Sequence, residues 1–400
     1  MKVDYKRLKD CCTKIGSGAT PKGGSSVYID SGVSLIRSQN VYNLNFSYSG
    51  LAHIDDEAAK KLNGVIVNKG DVLLNITGDS VARTCVVPDN VLPARVNQHV
   101  SIIRPLKDID SRYLNYYLAS PAMQGYLLNI ASTGASRNAI TKAMIEKLVI
   151  PFPDFESQRR IASILSAYDN LIENNTRRIR LLEQMAENLY KEWFVRFRFP
   201  GHEKAEFENG LPKGWRLENL FDVADVSYGY AFKSDLFCTD DSLNAVVRIR
   251  DIQENHTDTY TSEVCDDKYL IEENAILVGM DGLFHMCLWN GDKAYLNQRV
   301  VKICSKKKDM CNYMLFMAIQ PQIKFWEQVI AGTTVAHLGD KHLKKIKIAI
   351  PTEDIMLKAN ESFQRIMVEK NQLFKQNQIL SRQRDLLLPR LMSGKLEVNV

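Results

Sequence analysis

Several absences narrow this sequence before any element is placed. No apolar run approaches the roughly 20 residues that a membrane-spanning helix needs. The first residues, Met1-Lys2-Val3-Asp4-Tyr5-Lys6-Arg7, lack the apolar core of an export signal, so a cytoplasmic protein without membrane contact is expected. Eight cysteines (Cys11, Cys12, Cys85, Cys238, Cys265, Cys287, Cys304 and Cys311) are scattered with no C-x-x-C pair, which fits reduced thiols better than a disulfide framework or a zinc site. There is no G-x-x-x-x-G-K-[ST] phosphate loop, no H-E-x-x-H helix, and no Asn-Pro-Pro-aromatic motif to hold a target amino group for methylation. Asp266-Asp267-Lys268 has the D-x-K element of a nuclease but no convincing acidic partner upstream, and it reads as a solvated charge cluster. Neither catalytic nor metal-ligating residues are therefore expected. Nor does either sign of charge dominate, with 52 Lys and Arg against 47 Asp and Glu. A net +5 is a mild lean toward polyanions that does not by itself establish nucleic-acid binding.

What the chain does contain is an internal echo, and a repeat governs every local reading made after it. Ile15-Gly16-Ser17-Gly18 corresponds to Val226-Ser227-Tyr228-Gly229, and Leu35-Ile36-Arg37-Ser38-Gln39-Asn40-Val41 to Val246-Val247-Arg248-Ile249-Arg250-Asp251-Ile252. Gly70-Asp71-Val72-Leu73-Leu74 matches Asn274-Ala275-Ile276-Leu277-Val278, and an Asn-Gln pair leads into a strand at Asn97-Gln98 and again at Asn297-Gln298. Each half closes alike, with Ile140, Ile145, Leu148 and Ile150 before Pro151, and Leu338, Leu343, Ile346 and Ile348 before Pro351. Four anchors in the same order indicate duplication. At 400 residues the chain exceeds what one core organises, and its 45% hydrophobic content can supply two.

Within each half, short runs rich in β-branched residues and bounded by Gly, Asn, Asp or Pro predict strands. A helical patch follows them, from Ser111 to about Ile130 and from Met310 to about Ile330. Each half is therefore expected to be α+β.

Two long charged stretches complete the pattern, from Glu156 to Arg198 and from Ile355 to Leu391. Steps of four and three from Ile161 reach Leu165, Tyr168, Ile172, Asn175, Ile179, Leu182, Ala186, Leu189 and Trp193, the spacing of a coiled-coil seam. In the second stretch Phe363, Ile366, Leu373, Leu380 and Leu387 keep a seam that Lys370, Asn377 and Arg384 interrupt at heptad intervals. The two helices are expected to pair with each other, leaving part of the second for another protein. Asn175 would fix their register, since sliding would bury its amide unpaired. A helix of this length spans about 60 Å at about 1.5 Å per residue, more than one turn of B-DNA.

Three runs carry a family resemblance. Pro151-Phe152-Pro153 with Glu156-Ser157-Gln158-Arg159-Arg160-Ile161-Ala162-Ser163-Ile164-Leu165-Ser166-Ala167-Tyr168-Asp169 and Leu189-Tyr190-Lys191-Glu192-Trp193-Phe194-Val195-Arg196-Phe197-Arg198-Phe199-Pro200-Gly201 resembles the central conserved region of the DNA specificity subunit of type I restriction-modification enzymes. Leu211-Pro212-Lys213-Gly214-Trp215 resembles the entry to its second target-recognition domain, and Gln383-Arg384-Asp385-Leu386-Leu387-Leu388-Pro389-Arg390-Leu391-Met392-Ser393-Gly394-Lys395-Leu396 resembles its distal conserved region. Glu353-Asp354-Ile355-Met356-Leu357-Lys358 stands where a second Glu-x-Gln-x-x-Ile would be.

The resemblance implies two pseudo-repeated target-recognition domains joined by two long antiparallel coiled-coil helices, an α+β architecture. The expected boundaries are 1–153 and 201–352 for the recognition domains and 154–200 and 353–400 for the helical spacers. It also implies a non-catalytic subunit that reads an asymmetric bipartite site on double-stranded DNA. The partners implied are two methyltransferase subunits and, through them, restriction subunits. S-adenosylmethionine, ATP and Mg are expected only on those partners. A coiled-coil scaffold that binds proteins without reading DNA is the competing reading.

Bases are distinguished in the major groove by bidentate Arg, Asn or Gln, while phosphates take Lys, Arg, Ser, Thr and backbone N–H groups. On chemistry and loop position, the DNA-contact candidates of the first domain are Arg37, Gln39 and Asn40, then Asn75, Thr77 and Arg83, then Ser136, Arg137 and Asn138. Those of the second are Arg248, Arg250 and Asp251, then Met280, Asp281 and His285, then Thr333, Thr334 and His337. The Asn97-Gln98 and Asn297-Gln298 pairs recur in halves expected to read different sequences, so they are assigned a shared structural or phosphate-positioning role.

Overall fold

The computed structural model describes residues 4–132, 138–330 and 336–396. It divides into two compact units, Met1–Glu173 with Gln378–Val400, and Asn174–Asn377. Five helices recur below: α1 (Ser111–Ala119), α2 (Pro121–Ser132), α3 (Phe155–Tyr190), α4 (Asn312–Ile330) and α5 (Glu353–Met392).

In the first unit the strands Cys12–Ser17, Val100–Pro105, Val72–Asn75 and Thr84–Val86 form an antiparallel sheet in that spatial order. The second unit builds the same sheet from Ala224–Tyr228, Val300–Ser305, Ile276–Gly279 and Met286–Leu288. Register agrees as well as order. Ile103 stands opposite Ile15 and Val72, and Ile303 stands opposite Val226 and Ile276. A second sheet in each unit holds a parallel pair, Val33–Ile36 with Ala94–Val96 and Asn244–Val247 with Ala294–Leu296. Asp4–Arg7 pairs with Val149–Phe152 where each half closes, as Arg216–Asn219 pairs with Lys347–Ile350. Even the turn before the strand at Val72 is reproduced: Gly70 (φ +81°) and Asn274 (φ +69°) both adopt the left-handed conformation, which Gly takes freely and Asn tolerates best among side-chain residues.

The helical patches form where expected but end differently. Pro121 begins a new helix after Ser120 leaves the helical conformation, whereas Pro321 lies inside the continuous α4. The first long helix stops at Tyr190 and passes into a wide turn, Lys191–Val195. Beyond it Phe194, Phe197 and Phe199 close around Trp215, with ring centroids 5.2 to 5.6 Å from the indole.

Each unit holds a segment of α3 packed antiparallel on a segment of α5. In the first, Ile161 and Leu165 meet Leu388, Leu391 and Met392 together with Tyr113 and Tyr116 of α1. In the second, Leu182 and Ala186 share a core with Phe363, Ile366 and Leu373, and the rings of Tyr190 and of Tyr313 in α4 meet Phe363 edge to face. The polar interruptions of the α5 seam are not left over for another protein. Arg384 binds Asp169 (2.6 Å), Asn377 donates to Thr176 (3.2 Å), and Lys370 binds Glu183 (3.0 Å) while lying over the Tyr313 ring. Asn175 donates to Gln376 at 3.4 Å. All four pairings reach across from one helix to the other.

Gln158 explains the Glu-x-Gln signature. Its buried amide accepts from the Asp110 N–H (3.1 Å) and donates to the carbonyls of Asp108 (3.2 Å) and Pro153 (2.9 Å), fastening α3 to the loop that starts α1. In the second unit Asn360, seven residues beyond Glu353, accepts from the Cys311 N–H at 2.7 Å and fastens α5 to the loop that starts α4. Gln158→Ala should therefore lower stability by about 1–3 kcal/mol for each buried backbone group it strands, and Asn360→Ala by less because it strands one N–H. Denaturant midpoints of the two variants at unchanged slope check this, and equal midpoints would contradict it.

Candidate nucleic-acid interface

The first cluster of candidates sits on equivalent short turns, Ser38–Asn40 and Ile249–Asp251. Asn40 accepts from the Arg37 N–H (3.0 Å), as Asp251 accepts from the Arg248 N–H (2.8 Å). Both side chains are buried and turned inward: Asn40 donates onward to Ser47 O (2.9 Å), and Asp251 accepts from the Thr257 hydroxyl (3.1 Å). Burial raises the Asp251 carboxyl above its ordinary range, and the Thr257 hydrogen bond opposes this. Asn40 and Asp251 are thus turn-holders rather than base readers. Asn75 is also corrected: fully buried, it donates to Ser38 O (2.8 Å) and so ties this turn to the central sheet. Met280 belongs to the apolar core of its unit, where a base cannot reach it.

The remaining members of the cluster face outward in part. Arg37 lies over the Tyr28 ring at 5.4 Å and donates to Gly50 O at 2.6 Å, while Arg248 lies over the Phe237 ring at the same distance of 5.4 Å. Gln39 and Arg250 are exposed; Gln39 donates to Gly50 O (3.3 Å), and Arg250 donates to the Thr259 hydroxyl (3.4 Å) and pairs through Nε with Asp251 Oδ1 (3.4 Å). Arg83 lies over Tyr42 at 4.7 Å.

A second cluster forms at the strand ends beyond the Asn-Gln anchors. The backbone of Thr77 bridges Ala139, and that of Asp281 bridges His337, so these two pairs occupy equivalent places. The anchor residues themselves divide their work. Asn97 and Asn297 are buried, while Gln98 and Gln298 are exposed. A glycine makes this geometry possible in each half. Gly18 donates to Val100 O (2.9 Å) and Gly229 to Val300 O (3.1 Å), and a Cβ at either would fall well inside contact distance of the Asn97 or Asn297 carbonyl oxygen.

Around the pinch the two halves diverge chemically. In the first, the Thr77 hydroxyl meets His99 Nδ1 (2.6 Å), Gln98 meets His99 Nε2 (3.0 Å), and Thr20 bonds Gln98. In the second, Asp281 holds His337 Nδ1 on one oxygen (2.7 Å) and faces Arg299 Nε with the other (3.6 Å). Thr20, His99 and Arg299 are not among the sequence candidates, whereas Gln98 carries the structural or phosphate-positioning role assigned to its pair. The signal was present, since the residue after each Asn-Gln anchor differs between the halves. Asn138 is exposed beside this cluster and accepts from the Gly78 N–H at 3.4 Å. His285 is half-buried, and its backbone closes the turn that joins two strands of the sheet. Ser136, Arg137, Thr333 and Thr334 lie outside the described residues.

Other possible chemistry is muted. Burial pushes the thiols of Cys85 and Cys287 up to about 12, so neither ionises near neutral pH. Asp266 caps the turn Asp267–Tyr269 by accepting from the Lys268 N–H at 2.9 Å, which is a structural use of the D-x-K run. No helix among the described residues is long and apolar enough to cross a membrane.

Gly229→Ala should cost about 1–3 kcal/mol or more, because a methyl driven against main-chain oxygen cannot be relieved by a rotamer change. Hydrogen exchange at the Tyr230 amide, which donates to Leu296 O, should accelerate; protection equal to that of the parent protein would contradict the pinch.

Comparison with known proteins agrees with this geometry. The sequence model of the type I restriction modification DNA specificity domain matches residues 2–184 and again 212–385. The type I restriction enzyme MjaIX specificity subunit of Methanocaldococcus jannaschii is 25% identical over 99% of this chain and 94% of its own length. The HindI specificity subunit of Haemophilus influenzae is 23% identical over 91% and 94%. Among solved structures, the type I restriction-modification S subunit from M. genitalium aligns over 100% of this chain and 97% of its own with a TM-score of 0.60 at 14% identity, a likeness of fold. Two domain matches on two copies of one topology leave a single assignment: this chain belongs to the family of type I restriction-modification DNA specificity subunits, the non-catalytic components that recognise DNA sequence.

Proposed function

We propose that the chain reads a bipartite site on double-stranded DNA, one half-site for each repeat. The observation that carries this reading is the pairing of one repeated backbone with different side chains at its strand ends, Thr77 and His99 in one half and Asp281 and Arg299 in the other. A duplicated scaffold with unlike contents suits an asymmetric target. In this reading residues 1–153 and 201–352 are the two recognition domains, and residues 154–200 and 353–400 are the spacers that set the unread gap.

The chain supplies address rather than chemistry. It docks two methyltransferase subunits and, through them, restriction subunits, and those partners hold S-adenosylmethionine, ATP and Mg. The net charge of +5 is small for a protein meeting a polyanion alone, which supports phosphate contacts shared with the partners. The cytoplasm, where the host DNA lies, is the compartment.

A matched deletion tests the spacer. Residues 172–178 of α3 face residues 374–380 of α5, judging from the Asn175 to Gln376 and Thr176 to Asn377 contacts. Removing both heptads shortens the pair by about 10 Å at about 1.5 Å per residue, which corresponds to about three base pairs. Mapping methylated adenines with the chain co-expressed beside its methyltransferase should return the same two half-sites with a gap about three base pairs shorter. An unchanged gap, or no two-part motif at all, would refute the reading.

A further inference from the structure

We propose that Arg299 is a guanine-reading residue of the second half, and that Asp281 and His337 are positioning residues that aim it. The proposal rests on the DNA-recognition reading above and names the chemistry by which that site discriminates.

Four observations converge on Arg299. It follows the buried Asn297 and exposed Gln298 at the mouth of the central strand Val300–Ser305, beside the Gly229 pinch. Its backbone is left-handed, φ +70°, a conformation that a non-glycine residue holds at some strain. The side chain is 56% exposed, so its guanidinium is in reach of a partner. Finally, among the described residues Asp281 is the one ionic partner of this guanidinium. The contact is made by Nε, 3.6 Å from Asp281 Oδ2, and the two terminal nitrogens form a fork of donors.

That fork is the group that matches guanine O6 and N7 in the major groove. A free arginine loses side-chain entropy on making such a bidentate contact, whereas one already steered by a carboxylate loses less. The carboxylate is steered in turn. Asp281 Oδ1 accepts from His337 Nδ1 at 2.7 Å, and the backbones of Asp281 and His337 are bridged, so the acid cannot swing with the arginine. The equivalent place in the first half supports the division of labour. There His99 has both ring nitrogens engaged, by Thr77 and by Gln98, and no carboxylate or guanidinium takes part in these bonds. What the halves share, the glycine and the buried asparagine, is scaffold; what differs is the reader.

The test uses the full chain in complex with its methyltransferase partner. The wild-type methylation map first defines the motif, and its absence would sink the DNA-recognition reading itself. Given a motif, Arg299→Ala should relax one guanine of the second half-site and leave the first half-site unchanged. Affinity for the cognate duplex should fall roughly 5- to 150-fold, the range for one bidentate base contact, while affinity for random duplex stays within about twofold. Arg299→Lys should fail similarly, because an ammonium cannot form the fork. Asp281→Asn should relax the same guanine and add nothing in the Arg299→Ala background, a coupling that a merely structural role would not produce. Replacing that guanine by 7-deazaguanine should weaken the wild-type complex and leave the Arg299→Ala complex unaffected, which keeps the proposal testable even if a variant folds poorly. An unchanged motif in Arg299→Ala, or equal losses on cognate and random DNA, would overturn the assignment of Arg299 while leaving the wider reading intact.

Discussion

Register between the two long helices depends on polar groups that pair across from one helix to the other. Asp169 meets Arg384, Asn175 meets Gln376, Thr176 meets Asn377, and Glu183 meets Lys370. Apolar seam residues tolerate a slip of one heptad with modest loss, since one aliphatic side chain packs much like another. A half-buried amide or charge does not, because slipping leaves it desolvated without a partner. The interruptions that weaken the α5 seam as a hydrophobic stripe are therefore what specify its alignment. Each unit also uses its helical segment as a floor for a recognition fold, through Tyr113 and Tyr116 in one and Tyr313 in the other.

Above that floor the duplicated fold separates scaffold from content. The sheet order, the parallel strand pair, the left-handed residue before the second core strand and the close glycine approach occur in both halves. They are backbone requirements, so they survive wide change in side chains. Gln158 and Asn360 make the same point by different means: each accepts from the N–H at the start of the preceding domain helix, although they lie in unlike local sequences. The strand ends are where the halves part, with a Thr77, His99 and Gln98 group in one and a carboxylate and guanidinium, Asp281 and Arg299, beside His337 in the other.

Polar residues in loops prove to be of two kinds that share a composition. Asn40, Asn75 and Asp251 have the donors and acceptors of base readers, yet each is buried and committed to its own backbone. A turn that must close on itself needs acceptors for its N–H groups, and Asn and Asp supply them for the same reason that they suit nucleic-acid contacts. Gln39 shares the amide chemistry of Asn40 and differs in exposure, and Arg250 and Arg299 are likewise exposed.

The order of residues alone was enough for the duplication, the two coiled-coil helices and the family, because these depend on periodicity and on runs of side chains adjacent along the chain. The heptad step from Ile161 and the anchors at Gly18, Gly70 and Asn97 are local signals, each readable without knowing what packs against it. Which polar residue faces outward was settled only in three dimensions. Asn40 and Gln39 are neighbours in one turn, but the direction of each side chain depends on Ser47 and Gly50 curling back to meet them. Likewise Asp281, Arg299 and His337 become one group only when a strand end, an anchor and a closing loop from separate parts of the chain meet at one end of the central strands. Contacts of that kind arise from sheet pairing between residues far apart in the chain, and no local spacing encodes them.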